Sequence, residues 1–297
     1  MHIKTKDIKS LKIGFAGIGI MGSAMSEHIN DKRFNLSIYN RTKDKKVYQQ
    51  LLKKGINEAN TISDLAKKCD IIFTCLDDEV SVINAVNEIL PHLKEGSIII
   101  DTTTIGKKSA IKIGNILQAK NCIFLDAPIT GGQKGAKAGN LTVMVGGDKE
   151  YFDYLLPLFG SFGSLIKYCG NIGSGQAVKS INQLLCAVNL AGTCEAFIVA
   201  KKMNIDPNLI IEICGSGMAG SKQLTDVGSE IVKDNFNQGF KARHLTKDLR
   251  LLLEEIDSNQ IKITNKIFED FEELTKNSDI GEMGTQILLK YLSDSLK

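Results

Sequence analysis

Lys179, Asn182 and Gln183 stand at positions i, i+3 and i+4 of the stretch Gly173-Ser-Gly-Gln-Ala-Val-Lys-Ser-Ile-Asn-Gln183. On a helix they share one face. They open a segment in which Glu195 is the only charged residue between Ser180 and Ala200. Lysines partly desolvated in such surroundings have lowered pKa values, which suits a general acid or base working near neutrality. A second segment, Asp126-Ala-Pro-Ile-Thr-Gly-Gly132, follows an apolar run. Thr130 offers a hydroxyl there, and Gly131 and Gly132 leave backbone N–H groups open to a small carboxylate. Taken alone, a tight turn whose glycines serve only geometry is the better reading. A third segment, His244-Leu-Thr-Lys-Asp-Leu-Arg250, sets Lys247 beside Asp248; by itself it is an ordinary charged helix face.

The elements that must position these groups are legible upstream. Leu11 to Ala16 is an apolar run that reads as a buried strand. Gly17, Gly19 and Gly22 follow it with G-x-G-x-x-G spacing, and Ser23 to Ile29 opens a helix. Strand, glycine loop and helix in this order form the dinucleotide-binding fingerprint. The first glycine permits the turn, the second lets a pyrophosphate approach the backbone, and the third brings helix and sheet together. Gly17, Gly19, Ile20, Met21 and Gly22 are therefore expected cofactor contacts, since a helix N-terminus offers free N–H groups and partial positive charge to phosphates. The alternative is a glycine-rich turn with no ligand.

Asn35 to Tyr39 reads as the second strand. Roughly 20 residues after the fingerprint an acidic residue usually grips the ribose 2′-hydroxyl, but here the chain has Asn40-Arg41-Thr42. An acid would repel a 2′-phosphate. Arg41 can pair with one, and Asn40 or Thr42 can add hydrogen bonds. NADP(H) is therefore favoured over NAD(H), against the plainer alternative of a solvated arginine. Further strands are expected at Asp70–Leu76, Ser97–Asp101, Cys122–Ala127 and Leu141–Val145. Loops at strand C-termini line the ligand crevice of an open parallel sheet, which places Leu76 and Thr102-Thr103-Thr104 there. The threonines either contact a nicotinamide or cap the helix that follows. After about Tyr168 the chain reads as helices, the first of them nearly all apolar over about 175–201 and hence expected to be buried on all sides in a domain or subunit interface. The expected fold is α/β: a Rossmann-type doubly wound parallel sheet over residues 1–168, followed by an all-α C-terminal domain over 169–297.

Composition narrows the functional classes. A chain of 297 residues is comfortable for two domains. A net charge of +3 is too small to suggest nucleic-acid or membrane binding. The seven cysteines are odd in number and lack metal-ligand spacing, so no metal is expected and they read as reduced thiols of a cytoplasmic protein. The polar first ten residues do not read as a signal peptide. No apolar run is expected to approach the roughly 18 residues of a membrane span.

Taken together, the segments resemble the β-hydroxyacid dehydrogenases, a family that includes 3-hydroxyisobutyrate dehydrogenase and tartronate semialdehyde reductase. Gly17-Ile-Gly-Ile-Met-Gly-Ser-Ala-Met25 is similar to the family's N-terminal signature. Asp126–Gly132, continuing through Gly135, Gly139 and Leu141–Gly147, is similar to its substrate-binding segment. Gly173–Gln183 resembles its catalytic segment, and Lys247-Asp248-Leu249 its C-terminal contact. Four motifs in order along nearly the whole chain are far more specific than any one. The resemblance implies Lys179 as proton donor and acceptor, with Asn182 orienting the substrate. It implies Thr130, Gly131, Gly132, Gln183 and Lys247 around the substrate, Thr104 beside the nicotinamide, and Lys247 and Asp248 also at the cofactor. It further implies a small 3-hydroxy acid or its semialdehyde as substrate, and a homodimer or homotetramer.

Some residues depart from the pattern. Thr130 stands where Ser is common, Leu76-Asp77 where Leu-Pro is usual, and Gln183 where a second Asn is common. These departures keep the chemistry and loosen the substrate, leaving tartronate semialdehyde, succinate semialdehyde and glyoxylate as alternatives. Related 6-phosphogluconate dehydrogenases carry His where this chain has Asn182, together with a much longer helical domain. Imine reductases usually replace the lysine. The reading from another class is a non-catalytic NADP-binding or scaffolding protein.

Overall fold

The computed structural model describes residues 3–293. Short runs rich in Ile and Phe form strands β1 Lys12–Ala16, β2 Asn35–Tyr39, β4 Ile71–Thr74, β5 Ile98–Asp101 and β6 Ile123–Asp126, with the two-residue β3 Asn57–Glu58 at the edge. They lie in the order β3-β2-β1-β4-β5-β6, and every one of these pairs is parallel. The direction of winding reverses between β1 and β4, and in open sheets of this kind the ligand crevice lies outside the strand ends at that point.

Alternation along the strands builds two layers. Ile71, Phe73, Ile98 and Ile100 join Met25 and Ile29 of α1 (Ile20–Asp31) and Tyr48 and Leu51 of α2 (Lys46–Lys53). Phe73 stacks on Phe15 with ring centres 5.5 Å apart. Ile72 and Ile99 face the other way, onto Ile62 and Leu65 of α3 (Ile62–Lys68), Val82 and Val86 of α4 (Glu79–Ile89), and Ile113 and Leu117 of α5 (Lys107–Gln118). Covered on both faces, these strands need the continuous apolar runs they carry.

The sheet is parallel-dominated rather than wholly parallel, with nine strands among the described residues. After β6 come β7 (Ile129–Thr130), α6 (Gly132–Ala138), β8 (Leu141–Gly146), α7 (Lys149–Phe159) and β9 (Gly163–Gly170). β8 runs antiparallel to β6 and β7, and β9 lies parallel to β8. The sequence did not lead us to expect β9. It is an edge strand whose residues after Gly163 are exposed or half-buried, so no inward-facing stripe marks it. Asp148 caps α7 by accepting the Glu150 N–H at 2.8 Å.

Packing divides the chain into two compact units between Lys179 and Ser180, inside the 29-residue helix α8 (Ser174–Lys202). In the second unit Ala187, Leu190, Cys194 and Phe197 of α8 share a core with other helices. Partners come from α11 (Ala242–Leu253), which contributes Leu245 and Leu249, and α12 (Lys262–Leu274), which contributes Ile267 and Phe271. Shorter helices α9 (Pro207–Ser216), α10 (Gly228–Val232), α13 (Ser278–Gly281) and α14 (Leu288–Leu292) complete it.

One expectation for α8 needs correction. It is long and apolar enough to cross a membrane by length and composition, and about two fifths of its most apolar stretch is buried inside the protein. Core helices of soluble proteins meet the same measure. Within one chain Ile181 and Leu185 of α8 are 57% and 54% exposed, so the expected burial on all sides depends on a subunit interface.

Candidate active site

The glycine loop joins β1 to α1. Gly17 has φ +99° and lies so close to the β4 end that a Cβ would fall 2.2 Å from the Cys75 carbonyl oxygen. A Cβ on Gly22 would fall 2.0 Å from the Gly17 carbonyl oxygen. Both glycines are thus required by the fold itself. Gly19 differs: a Cβ there meets nothing within 4 Å. It precedes α1, whose N-terminus has no side-chain cap. Open backbone at an uncapped helix N-terminus fits the pyrophosphate of a dinucleotide. Ile20 is 50% exposed at the start of α1, whereas the Met21 side chain packs on the core.

At the end of β2, Asn40 is buried, and both ends of its amide are engaged. Its Oδ1 accepts the Ile18 N–H at 2.8 Å, and its Nδ2 donates to the Thr42 carbonyl at 2.6 Å. Asn40 therefore holds the glycine loop against the β2 end. Arg41 and Thr42 are exposed, and Arg41 forms no ion pair among the described residues. Nearby Lys43 is paired with Glu58 at 3.1 Å, and Glu58 also accepts the Tyr48 hydroxyl at 3.0 Å.

The ends of β4 and β5 carry a buried polar network. Asp101 Oδ1 accepts the Thr74 hydroxyl at 2.7 Å and the Thr103 N–H at 3.2 Å. Thr103 Oγ1 accepts the Leu76 N–H at 2.9 Å, which joins the two loops. Burial pushes the Asp101 carboxyl up to about 7, against the opposing hydrogen bonds from Thr74 and Thr103. Leu76 and Thr104 are half-buried.

Asp126, at the end of β6, accepts the N–H groups of Gly173 at 2.7 Å and Gln176 at 2.8 Å, and so caps the first turn of α8. Burial raises its pKa as well, against those backbone donors. Gly146 and Gly175 make room for this carboxylate, since a Cβ on either would come within 3 Å of it. Beyond Asp126 the chain turns at Gly131 and Gly132, with φ of +129° and +61°. The turn leaves Thr130 half-buried and Gly131 exposed. One turn into α8, Lys179 is buried, with 6% of its surface exposed.

In the second unit, Asn182 Nδ2 donates to Gln183 Oε1 at 2.8 Å, and Gln183 Nε2 donates to Asp248 Oδ2 at 2.6 Å. Lys247 Nζ forms an ion pair with Asp248 Oδ1 at 3.0 Å. Asn182, Gln183, Asp248 and Lys247, four residues singled out from the sequence, thus form one chain of polar contacts between α8 and α11. Gln183 and Asp248 are almost completely buried, with polar atoms engaged by their neighbours. Reading the sequence missed Gln176, Asp101 and the capping role of Asp126. For Gln176 a signal was present, since it sits three positions before Lys179 on the same helix face.

Comparison with known proteins identifies the family and the fold. Residues 12–172 match the family model described as the NAD binding domain of 6-phosphogluconate dehydrogenase, and residues 173–291 match the NAD-binding domain of NADP-dependent 3-hydroxyisobutyrate dehydrogenase. An uncharacterised oxidoreductase of Synechocystis is 39% identical over 253 residues, covering 84% of this chain and 87% of its own. The mitochondrial 3-hydroxyisobutyrate dehydrogenase of Bos taurus is 33% identical over 261 residues, covering 84% of this chain and 77% of its own. The Mycobacterium tuberculosis 3-hydroxyisobutyrate dehydrogenase, solved with L-serine, shares the fold with a TM-score of 0.85 at 21% identity, covering 95% of this chain and 99% of its own. The chain belongs to the 3-hydroxyisobutyrate dehydrogenase family and is an NAD(P)-dependent oxidoreductase of the β-hydroxyacid dehydrogenase type.

Proposed function

We propose that this enzyme interconverts a small 3-hydroxy acid and its semialdehyde with NADP(H), using Lys179 as general acid and base. The observation that carries the reading is a buried lysine one turn into an apolar helix, with Asn182 following on the same face. The name of the bovine relative supports 3-hydroxyisobutyrate as the substrate type. Tartronate, succinate semialdehyde and glyoxylate are the neighbouring possibilities, because a methylene is worth only ~1–3 kcal/mol of discrimination.

Gly17, Gly19, Gly22 and the first turn of α1 hold the dinucleotide pyrophosphate. Arg41 and Thr42 take the 2′-phosphate, with Asn40 fixing their loop. Leu76 and Thr104 serve the nicotinamide side; for Lys247 and Asp248 a cofactor role is what the family resemblance implies. When bound, the reduced nicotinamide supplies the hydride that the carbonyl carbon receives. Negative charge then develops on the carbonyl oxygen; Lys179 stabilises it and donates a proton there, leaving a hydroxyl. In the oxidative direction neutral Lys179 takes that proton back. Thr130 and the N–H groups of Gly131 and Gly132 hold the substrate carboxylate, which sets the carbonyl at a fixed distance. Asn182 orients the substrate, and Gln183 keeps Asn182 in place.

The exposed apolar residues Val178, Ile181 and Leu185 of α8 support a homodimer or homotetramer. The seven free thiols support a cytoplasmic location. The test is Lys179→Ala. We expect NADPH binding to persist and kcat to fall by ~10²–10⁴; turnover surviving within about tenfold would remove Lys179 from this role.

A further inference from the structure

The family resemblance assigns nothing to Gln176, yet its side chain is completely buried and each of its polar atoms is engaged. Oε1 accepts the N–H groups of Ile105 at 3.0 Å and Gly106 at 3.2 Å, while Nε2 donates to the Thr103 carbonyl at 2.7 Å. Its own N–H goes to Asp126. One side chain thus satisfies three backbone groups of the loop leaving β5, the loop that carries Thr104. Gly106 has φ +77° and precedes α5 without a side-chain cap, so the loop has no local cap to define that end. Asp126 already caps α8; the Gln176 side chain is therefore not needed to start the helix. What it supplies is a fixed distance between the helix and the loop.

We propose that Gln176 is a positioning residue, locking the first turn of α8 to the Thr103–Gly106 loop and thereby setting where Lys179, one turn on and on the same face, meets the substrate carbonyl. The proposal rests on the reading of Lys179 as proton donor. Misplacement of a reacting group by about 1 Å costs on the order of 10²-fold in rate, which sets the scale.

The experiment is steady-state reduction of the best semialdehyde by wild type, Gln176→Met, Lys179→Ala and the double variant, with a pH profile for each. Met matches Gln in length but can satisfy none of the three loop groups. We expect Gln176→Met to lower kcat by about 10–100-fold, with a much smaller change in KM, a displaced pH profile, and less than a further twofold loss in the Lys179→Ala background. A kcat within twofold of wild type, or losses that multiply in the double variant, would overturn the proposal. If Gln176→Met does not fold, Gln176→Asn, which keeps the amide but shortens its reach, enters the same comparison. Survival of turnover in Lys179→Ala alone would instead contradict the proton-donor reading, so the two failures are told apart.

Discussion

Polar groups of the first unit fall into two regions that behave differently. At the ends of β4, β5 and β6, Thr74, Asp101, Thr103, Asp126 and Gln176 are buried and engaged with one another or with backbone. Around the glycine loop and the β2 end, Arg41 and Thr42 are exposed, and an added Cβ at Gly19 meets nothing within 4 Å. The first region engages nearly all its donors and acceptors inside the chain, Asp101 Oδ2 alone of that carboxylate being left without a hydrogen-bond partner among the described residues. The second leaves its polar groups accessible to solvent. In the proposed function the first region positions and the second binds.

Substitutions can break that distinction. The largest effect is the loss of turnover on Lys179→Ala described above. Next is a contrast within one loop. Gly22→Ala drives a methyl into the Gly17 carbonyl and should destabilise the fold by roughly 3 kcal/mol, read by chemical denaturation. Gly19→Ala should leave stability within about 0.5 kcal/mol while weakening dinucleotide binding by about tenfold or more. Equal stability losses in both would erase the distinction between the two glycines. Arg41→Asp should weaken NADPH binding by roughly 10–100-fold, the scale of a lost charge-assisted hydrogen bond, and leave NADH within about twofold. A matching loss for NADH would remove the 2′-phosphate from the account.

The smallest effect concerns Asp101. Burial raises its pKa to about 7, so between the ordinary carboxylate range and pH 7 the folded chain holds a proton that the unfolded chain releases. Stability from this group is complete at acid pH and is lost as pH rises toward 7. Asn cannot ionise, and its Oδ1 can accept the same Thr74 and Thr103 donors. Asp101→Asn should therefore match wild type near pH 4 and exceed it at pH 8 by at least roughly 1 kcal/mol. A difference independent of pH would mean that Asp101 is charged in the fold.

Much of this was legible in the sequence because it is written in spacing. The glycine fingerprint, the doubly apolar strands and the i, i+3, i+4 face of Lys179 depend on periodicity alone. β9 was not legible, since its residues after Gly163 lack a buried stripe, and neither was the reversed direction of β8. Nor does spacing reveal what a polar atom binds. Asn40, Gln183 and Asp248 were read as ligand contacts, and the fold engages them internally. Gln176 passed without comment, although it reaches across about 70 residues of sequence to the β5 loop; only tertiary structure brings such partners together.

The central claim is most directly tested by following NADPH oxidation with methylmalonate, tartronate and succinate semialdehydes and glyoxylate, with NADH in parallel. We expect one aldehyde to be consumed well, NADPH to be preferred over NADH, and the activity to be lost in Lys179→Ala. NADPH bound with none of the four reduced would contradict it and favour a binding protein built on the same fold.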